Sequence, residues 1–208
     1  AGPGSPAATL RLARLTLRMQ REDADVNEVH IDALGGSIHG EGNFDYSAHL
    51  TTFVLDLKLD PALDLGPWLP REARELAGRG TLSGKVRLYG SANDVWANPI
   101  DLQLGRAHAS GALNWVAKTG EILPVGLRVD VPETGASLRA SGSVNVVKRT
   151  LALGFHASVE RLGPWLTRLK APAVATAASA SGLVSGSFDA PRVTAAVTAD
   201  GIPWTGRA

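Results

Sequence analysis

Apolar and polar residues alternate with a period of two along almost the whole chain, and this feature constrains the fold more than any other. Leu34, Gly36, Ile38, Gly40, Gly42, Phe44 and Tyr46 share one parity, while Ser37, His39, Glu41, Asn43 and Asp45 hold the other. Phe53, Leu55, Leu57 and Leu59 alternate with Asp56, Lys58 and Asp60 in the same way. The pattern returns in Leu82 to Leu88, Ile100 to Leu104, Val125 to Val131, Leu138 to Val146 and Leu151 to Val159. Successive side chains of a strand point to opposite faces, so each run predicts a strand with one oily and one wet face. Parallel sheets covered by helices read as continuous apolar runs, so clean alternation predicts antiparallel pairing. In the first run the parity shifts between Leu12 and Leu15, which marks Ala13-Arg14 as a β-bulge that restores the apolar face.

Lys118-Thr119-Gly120, Pro132-Glu133-Thr134-Gly135 and Asp189-Ala190-Pro191 punctuate the runs as turns. Two segments do not alternate. In Pro61 to Gly78, Leu65, Trp68, Leu69, Ala73 and Leu76 fall at helical spacing; in Glu160 to Lys170, Leu162, Trp165, Leu166 and Leu169 do the same. Short amphipathic helices are not stable alone, so each is expected to lay its Leu/Trp face on the sheet. The expected fold is all-β: an elongated, mainly antiparallel sheet with two short amphipathic helical segments. Alternation by itself leaves open whether the oily face packs against a second layer, as in a sandwich or closed barrel, or borders a groove.

Composition narrows the function. The 21 Lys and Arg nearly cancel the 20 Asp and Glu, and a net charge of +1 supplies no electrostatic footprint for nucleic acid. With no cysteine there is no disulfide framework, CxxC pair or thiolate zinc site, and both a reducing cytosol and an oxidising periplasm are compatible. No run approaches the roughly 20 apolar residues that a membrane-spanning helix needs. Ala1 to Ser5 reads as a non-native leader, and the end at Ile202 to Ala208 breaks off in mid-pattern. Residues 1–208 are therefore read as a single elongated β segment of a larger protein.

No catalytic constellation stands out, and the chain is read as a non-enzyme without cofactor or metal. His30, His39, His49, His108 and His156 are dispersed, with no H-E-x-x-H pair among them. Ser37 lacks the second glycine of a nucleophile elbow. Ser83-Gly84-Lys85 mimics the end of a P-loop, but Arg79 and Val86 stand where a glycine and a Ser or Thr belong. The histidines read as satisfied surface residues, and both near misses read as strand residues.

The two helical segments share a literal match, Leu65-Gly66-Pro67-Trp68-Leu69 and Leu162-Gly163-Pro164-Trp165-Leu166. Before each lies a Gly-rich strand, Ser37 to Gly42 and Ser137 to Gly142, and then an alternating strand. After each comes a Gly-x-Leu-type element leading to proline: Gly80 to Ser91 with Pro99, where Asn93 to Asn98 reads as an insertion that lengthens the link, and Gly182 to Pro191. A module thus recurs at about residues 34–99 and 135–191. This combination resembles the TamB and AsmA-like proteins of Gram-negative envelopes, whose periplasmic regions repeat such modules between alternating strands. The resemblance implies a U-shaped "β-taco" with a hydrophobic trough, in a periplasmic bridge anchored in the inner membrane. It also implies phospholipid transport between the membranes, and an outer-membrane barrel partner of the TamA type.

On that reading the groove is lined by Ile38, Phe44, Phe53, Leu55, Leu57, Val86, Leu102, Leu127, Val129, Leu138, Val144, Leu153 and Phe155, with Trp68, Leu69, Trp165 and Leu166 on groove-associated helices. Gly40, Gly42, Ala140 and Gly142 would keep the interior roomy. The alternative is a scaffold that assists outer-membrane protein assembly by pairing its sheet edge with client or partner strands.

Overall fold

A computed structural model describes residues 10–19, 21–47, 50–68, 80–163, 167 and 176–200. Twelve strands follow one another: β1 Leu10–Met19, β2 Asp23–Ala33, β3 Gly36–Ser47, β4 Leu50–Asp64, β5 Thr81–Ser91, β6 Asp94–Leu104, β7 Ala107–Val116, β8 Glu121–Val131, β9 Ala136–Asn145, β10 Thr150–Val159, β11 Ala177–Ser187 and β12 Ala190–Asp200. They form one sheet in sequence order, each strand antiparallel to its neighbours. The sheet is not closed: β1 and β12 are its two edges. The predicted all-β, antiparallel class is therefore the observed one, and neither a sandwich nor a closed barrel forms.

Bulges set the register. The shift between Leu12 and Arg14 in β1 is the bulge expected at Ala13-Arg14, and β2 answers it with its own shift between Val26 and Val29. Three prolines sit inside long strands at such shifts: Pro61 between Leu59 and Leu63, Pro99 between Ala97 and Ile100, and Pro124 between Ile122 and Leu127. Proline has no N–H to give the ladder, so an interior strand accepts it only where pairing is already interrupted. Pro99 also corrects the sequence reading of Asn93 to Asn98. Residues 94–98 are the first half of β6, with Val95, Trp96 and Ala97 paired across both neighbours, and not an inserted link.

Other corrections lie at strand ends. Leu34 is not part of β3: with Gly35 it makes the two-residue β2–β3 turn, both residues having positive φ (51° and 75°). That geometry is the type I′ twist that suits a hairpin. Leu34 accepts it while packing against the small buried cluster of Ala33, Leu59 and Leu63. Val146 leaves the strand as well, since β9 ends at Asn145, whose side chain donates to the Thr119 carbonyl (3.0 Å). No helix starts at Pro61, where one was expected. Pro61 to Asp64 continue β4, and only Gly66–Trp68 forms a 3-10 turn, opened by the Asp64 carboxylate accepting from Gly66 N (2.9 Å). The remainder of that segment, and most of Glu160 to Lys170, lie outside the described residues. The two Leu-Gly-Pro-Trp-Leu copies follow β4 and β10, six strands apart.

Candidate functional site

Register carries one parity across the entire sheet. Starting from Phe53, Leu55, Leu57 and Leu59 on β4, the pairings place Phe44, Gly42, Gly40 and Ile38 on the same face of β3, and Gly90, Leu88, Val86 and Gly84 on that of β5. Followed outward, the face gathers Leu102 and Ile100 on β6, Leu127 and Val129 on β8, Leu138 and Val144 on β9, Leu153 and Phe155 on β10, and Val193 and Val197 on β12. All thirteen groove candidates therefore share one face. None is fully buried: twelve are half-buried and Leu138 is exposed. The rings of Phe44 and Phe53 meet at a tilt across β3 and β4, with centroids 5.8 Å apart. Of the four residues assigned to groove-associated helices, Trp68 falls in the 3-10 turn, while Leu69, Trp165 and Leu166 lie outside the described residues.

Among the described residues no second layer covers this face. The strands pack substantially only on their immediate neighbours in the sheet, and among the described residues just seven hydrophobic side chains are buried. The accessible surface, 13592 Å², compares with about 9,200 Å² for a compact globule of this mass. Large apolar side chains remain open at both ends of the face: Leu15 (50 %), Leu17 and Met19 on β1, Val193 and Val197 (70 %) on β12.

On the β1–β4 stretch the face dips into a cavity of ≈ 440 Å³ bordered by Leu15, Leu17, Met19, Val26, Phe44 and Leu55. Only Phe44 and Leu55 were foreseen. The β2 contribution was missed because Asn27-Glu28, the bulge between Val26 and Val29, interrupts its alternation; the matching parity shift at Leu12/Leu15 was the available signal. Val125 corrects the reading in the other direction. Gly126 (φ 60°) and Leu127 both lie opposite Gly111, so the bulge turns Val125 to the other face, where it pairs Ala112 and is 48 % exposed.

The inward glycines do not act alike. A side chain at Gly40 would meet the Cδ2 of Leu57, so its absence does make room for a neighbouring side chain. At Gly42 a Cβ would fall on the Val54 carbonyl oxygen and 2.9 Å from Leu55 Cα, and at Gly142 on the Ala152 carbonyl oxygen. Those two glycines admit a neighbouring backbone, not a ligand.

The opposite face carries the charges and neutralises them locally. Arg87 donates through Nε and Nη2 to both carboxylate oxygens of Asp56 across β4–β5 (2.7 and 2.8 Å), and Lys58 Nζ donates to Asp60 (2.6 Å). The Arg87 hydrogen bond holds the Asp56 carboxyl below the usual carboxylate range, and that from Lys58 does the same for Asp60. A depressed folded-state pKa stabilises the fold above the ordinary Asp value of about 4 and ceases to do so as pH falls through the folded value. The melting-temperature difference between the wild type and Asp56→Asn should therefore be constant from neutral pH to about pH 5 and close only as pH falls below the ordinary Asp range; a difference that persists in strong acid would show that the pair is not its source.

Three depressions open on this charged face, of ≈ 510, 650 and 550 Å³, including one beside His39, Lys58, Lys85 and Arg87. The first is walled by charged side chains that include the Arg87–Asp56 pair, and the third by Asn43, Val54 and the stacked rings of Tyr89 and Trp96. The histidines are less dispersed than their spacing suggested: the rings of His30 and His39 meet at a tilt across β2–β3, with centroids 4.3 Å apart. Ser37 Oγ lies 3.0 Å from His39 Nε2, but it is buried and donates to the Asp60 carbonyl (3.0 Å), so no substrate reaches it. Among the described residues no group of three or more His, Asp or Glu is placed to hold a metal ion. No helix of the described residues is long and apolar enough to cross a membrane.

Compared with known proteins, the chain matches no family model, no curated protein and no solved structure.

Proposed function

We propose that the chain is a periplasmic segment of a TamB/AsmA-like envelope bridge, whose apolar face curls into a trough that shelters phospholipid acyl chains between inner and outer membranes. The observation that supports this reading is the apolar parity carried by register over twelve strands, with no layer upon it among the described residues. A soluble chain that leaves so much contiguous apolar surface open gains by covering it. Each methylene moved out of water is worth ~0.8 kcal/mol, so an acyl chain of ordinary length gains roughly 12 kcal/mol on such a surface. Headgroups would stay at the rim, in water, and no covalent step is needed.

Native mass spectrometry with extraction and identification of lipid tests this directly. The wild type should carry phospholipid, and Leu55→Arg or Leu127→Glu, on half-buried positions of the face, should abolish carriage while leaving the far-UV dichroism of a β protein intact. A protein that emerges lipid-free from gentle purification and takes up no photoreactive phospholipid would refute the reading. Both sheet edges are unpaired among the described residues, and this supports a second reading, a scaffold that adds client or barrel strands to its own sheet. In that case Val197→Pro should impair partner binding and spare lipid carriage.

A further inference from the structure

The charged face is not neutralised everywhere. Register sets Arg128 of β8 directly opposite Arg139 of β9, and Arg139 directly opposite His156 of β10, with Ser110 of β7 and Ser181 of β11 closing the row. Every side chain of that row can donate a hydrogen bond, and none is acidic. Like charges directly opposite one another destabilise a sheet. Asp130 accepts from Arg128 Nε (2.8 Å), but Arg139 has no ion-pair partner among the described residues.

The second of the three depressions on the charged face lies against this row. Its volume, ≈ 650 Å³, falls within the range of small-molecule sites, about 300–1,000 Å³. It alone of the three is lined by no carboxylate; the first includes Glu41, Asp56 and Asp101, and the third Asp45 and Asp94. Small residues one pleat along the strands, Gly126, Ser141 and Gly154, make its opposite rim. A Cβ at Gly126 would meet nothing within 4 Å, and one at Gly154 nothing nearer than Ser141 Oγ at 3.5 Å, so both positions open onto free space. Between the two rims Leu127, Ala140 and Phe155 turn their side chains to the apolar face and leave backbone as the floor. Arg128, Arg139 and His156 are all exposed, so their donors are accessible from solvent.

We propose that this depression binds the phosphate of a small phosphorylated molecule, gripped by the guanidinium groups of Arg128 and Arg139, with His156, Ser141 and Ser181 donating from the rims. Two arginines suit a tetrahedral dianion because each planar fork can give parallel N–H bonds to a pair of its oxygens. A bound dianion also relieves the repulsion between the two cations, and the volume leaves space for the rest of the molecule. The site does not depend on acyl occupancy. It lies on the other side of the sheet from the apolar face, so a headgroup whose chains rest on that face cannot reach it.

Calorimetric titration with inorganic phosphate, at an ionic strength held constant with chloride, should show a single saturable site. Arg139→Ala should weaken binding about tenfold or more, and Arg139→Lys should recover only part of it, since an ammonium is a point charge without the fork. Lys85→Ala removes an exposed cation from the same face but outside the depression, and should leave the affinity unchanged. In chloride alone Arg139→Ala should melt no lower than the wild type, because it removes a like-charge contact, so its lost binding is not unfolding. No saturation, an effect that chloride reproduces, equal losses in Lys85→Ala and Arg139→Ala, or attachment to phosphatidylglycerol vesicles without response to soluble phosphate would each overturn the proposal. Protein that carries lipid yet ignores phosphate would sink this assignment and leave the acyl-chain reading standing.

Discussion

Gly142→Val is expected to cost about 3 kcal/mol or more, while Gly154→Ala, one strand away, is expected to change stability by less than about 0.5 kcal/mol. Gly142 lies in β9 with φ at 124°, a region that side-chain-bearing residues rarely enter; occupying it costs roughly 1–3 kcal/mol. Any Cβ there would also strike the Ala152 carbonyl and lie 3.1 Å from Leu153 Cα. Both are backbone, which cannot rotate aside, and forcing strands apart costs roughly another 1–3 kcal/mol. For a chain of this length the melting temperature should fall by about 6–12 °C. At Gly154 a Cβ meets nothing closer than Ser141 Oγ at 3.5 Å, ordinary contact, and lost chain entropy in the unfolded state favours alanine slightly. Equal losses at the two sites would show that the strain and close approach at Gly142 are not what requires glycine.

A carboxylate placed on the apolar face should be tolerated or ruinous according to position. Leu59→Asp replaces a side chain only 9 % exposed in the cluster with Ala33 and Leu63. It forfeits about 2 kcal/mol of apolar burial and leaves an unpaired charge against Leu82 and Leu102, a total of roughly 4–5 kcal/mol. Much of a domain's stability, about 5–15 kcal/mol, goes with it. Leu138→Asp stands on the same face at 41 % exposure and should cost less than about 1 kcal/mol. Urea midpoints at constant m-value measure both. If Leu138→Asp unfolds the protein as Leu59→Asp does, the face is covered after all and the trough reading fails with it.

Much of this was legible in the chain. Where alternation ran unbroken, as in Phe53 to Leu59 or Leu151 to Val159, the strand, its two faces and its antiparallel partnership followed from the pleat alone. Where a bulge broke it, reading by parity failed: β2 went unrecognised around Asn27-Glu28, and Val125 was assigned the wrong face beside Gly126. Leu34 and Asp94 to Asn98 were misplaced for a related reason. A positive-φ turn can be built on leucine, and a proline can sit inside a strand, when a neighbouring strand supplies what the local sequence lacks.

By itself, then, the sequence determined which residues share a face, because side-chain direction in a strand is a local property that repeats every two residues. The tertiary structure alone decided that twelve such strands lie in one open sheet with nothing among the described residues stacked on the oily side, and that Gly42 and Gly142 admit backbone and not ligand. Those outcomes depend on hydrogen bonds and contacts between residues far apart in the chain, and a period-two pattern is the same whether its apolar face meets another sheet, an acyl chain or water.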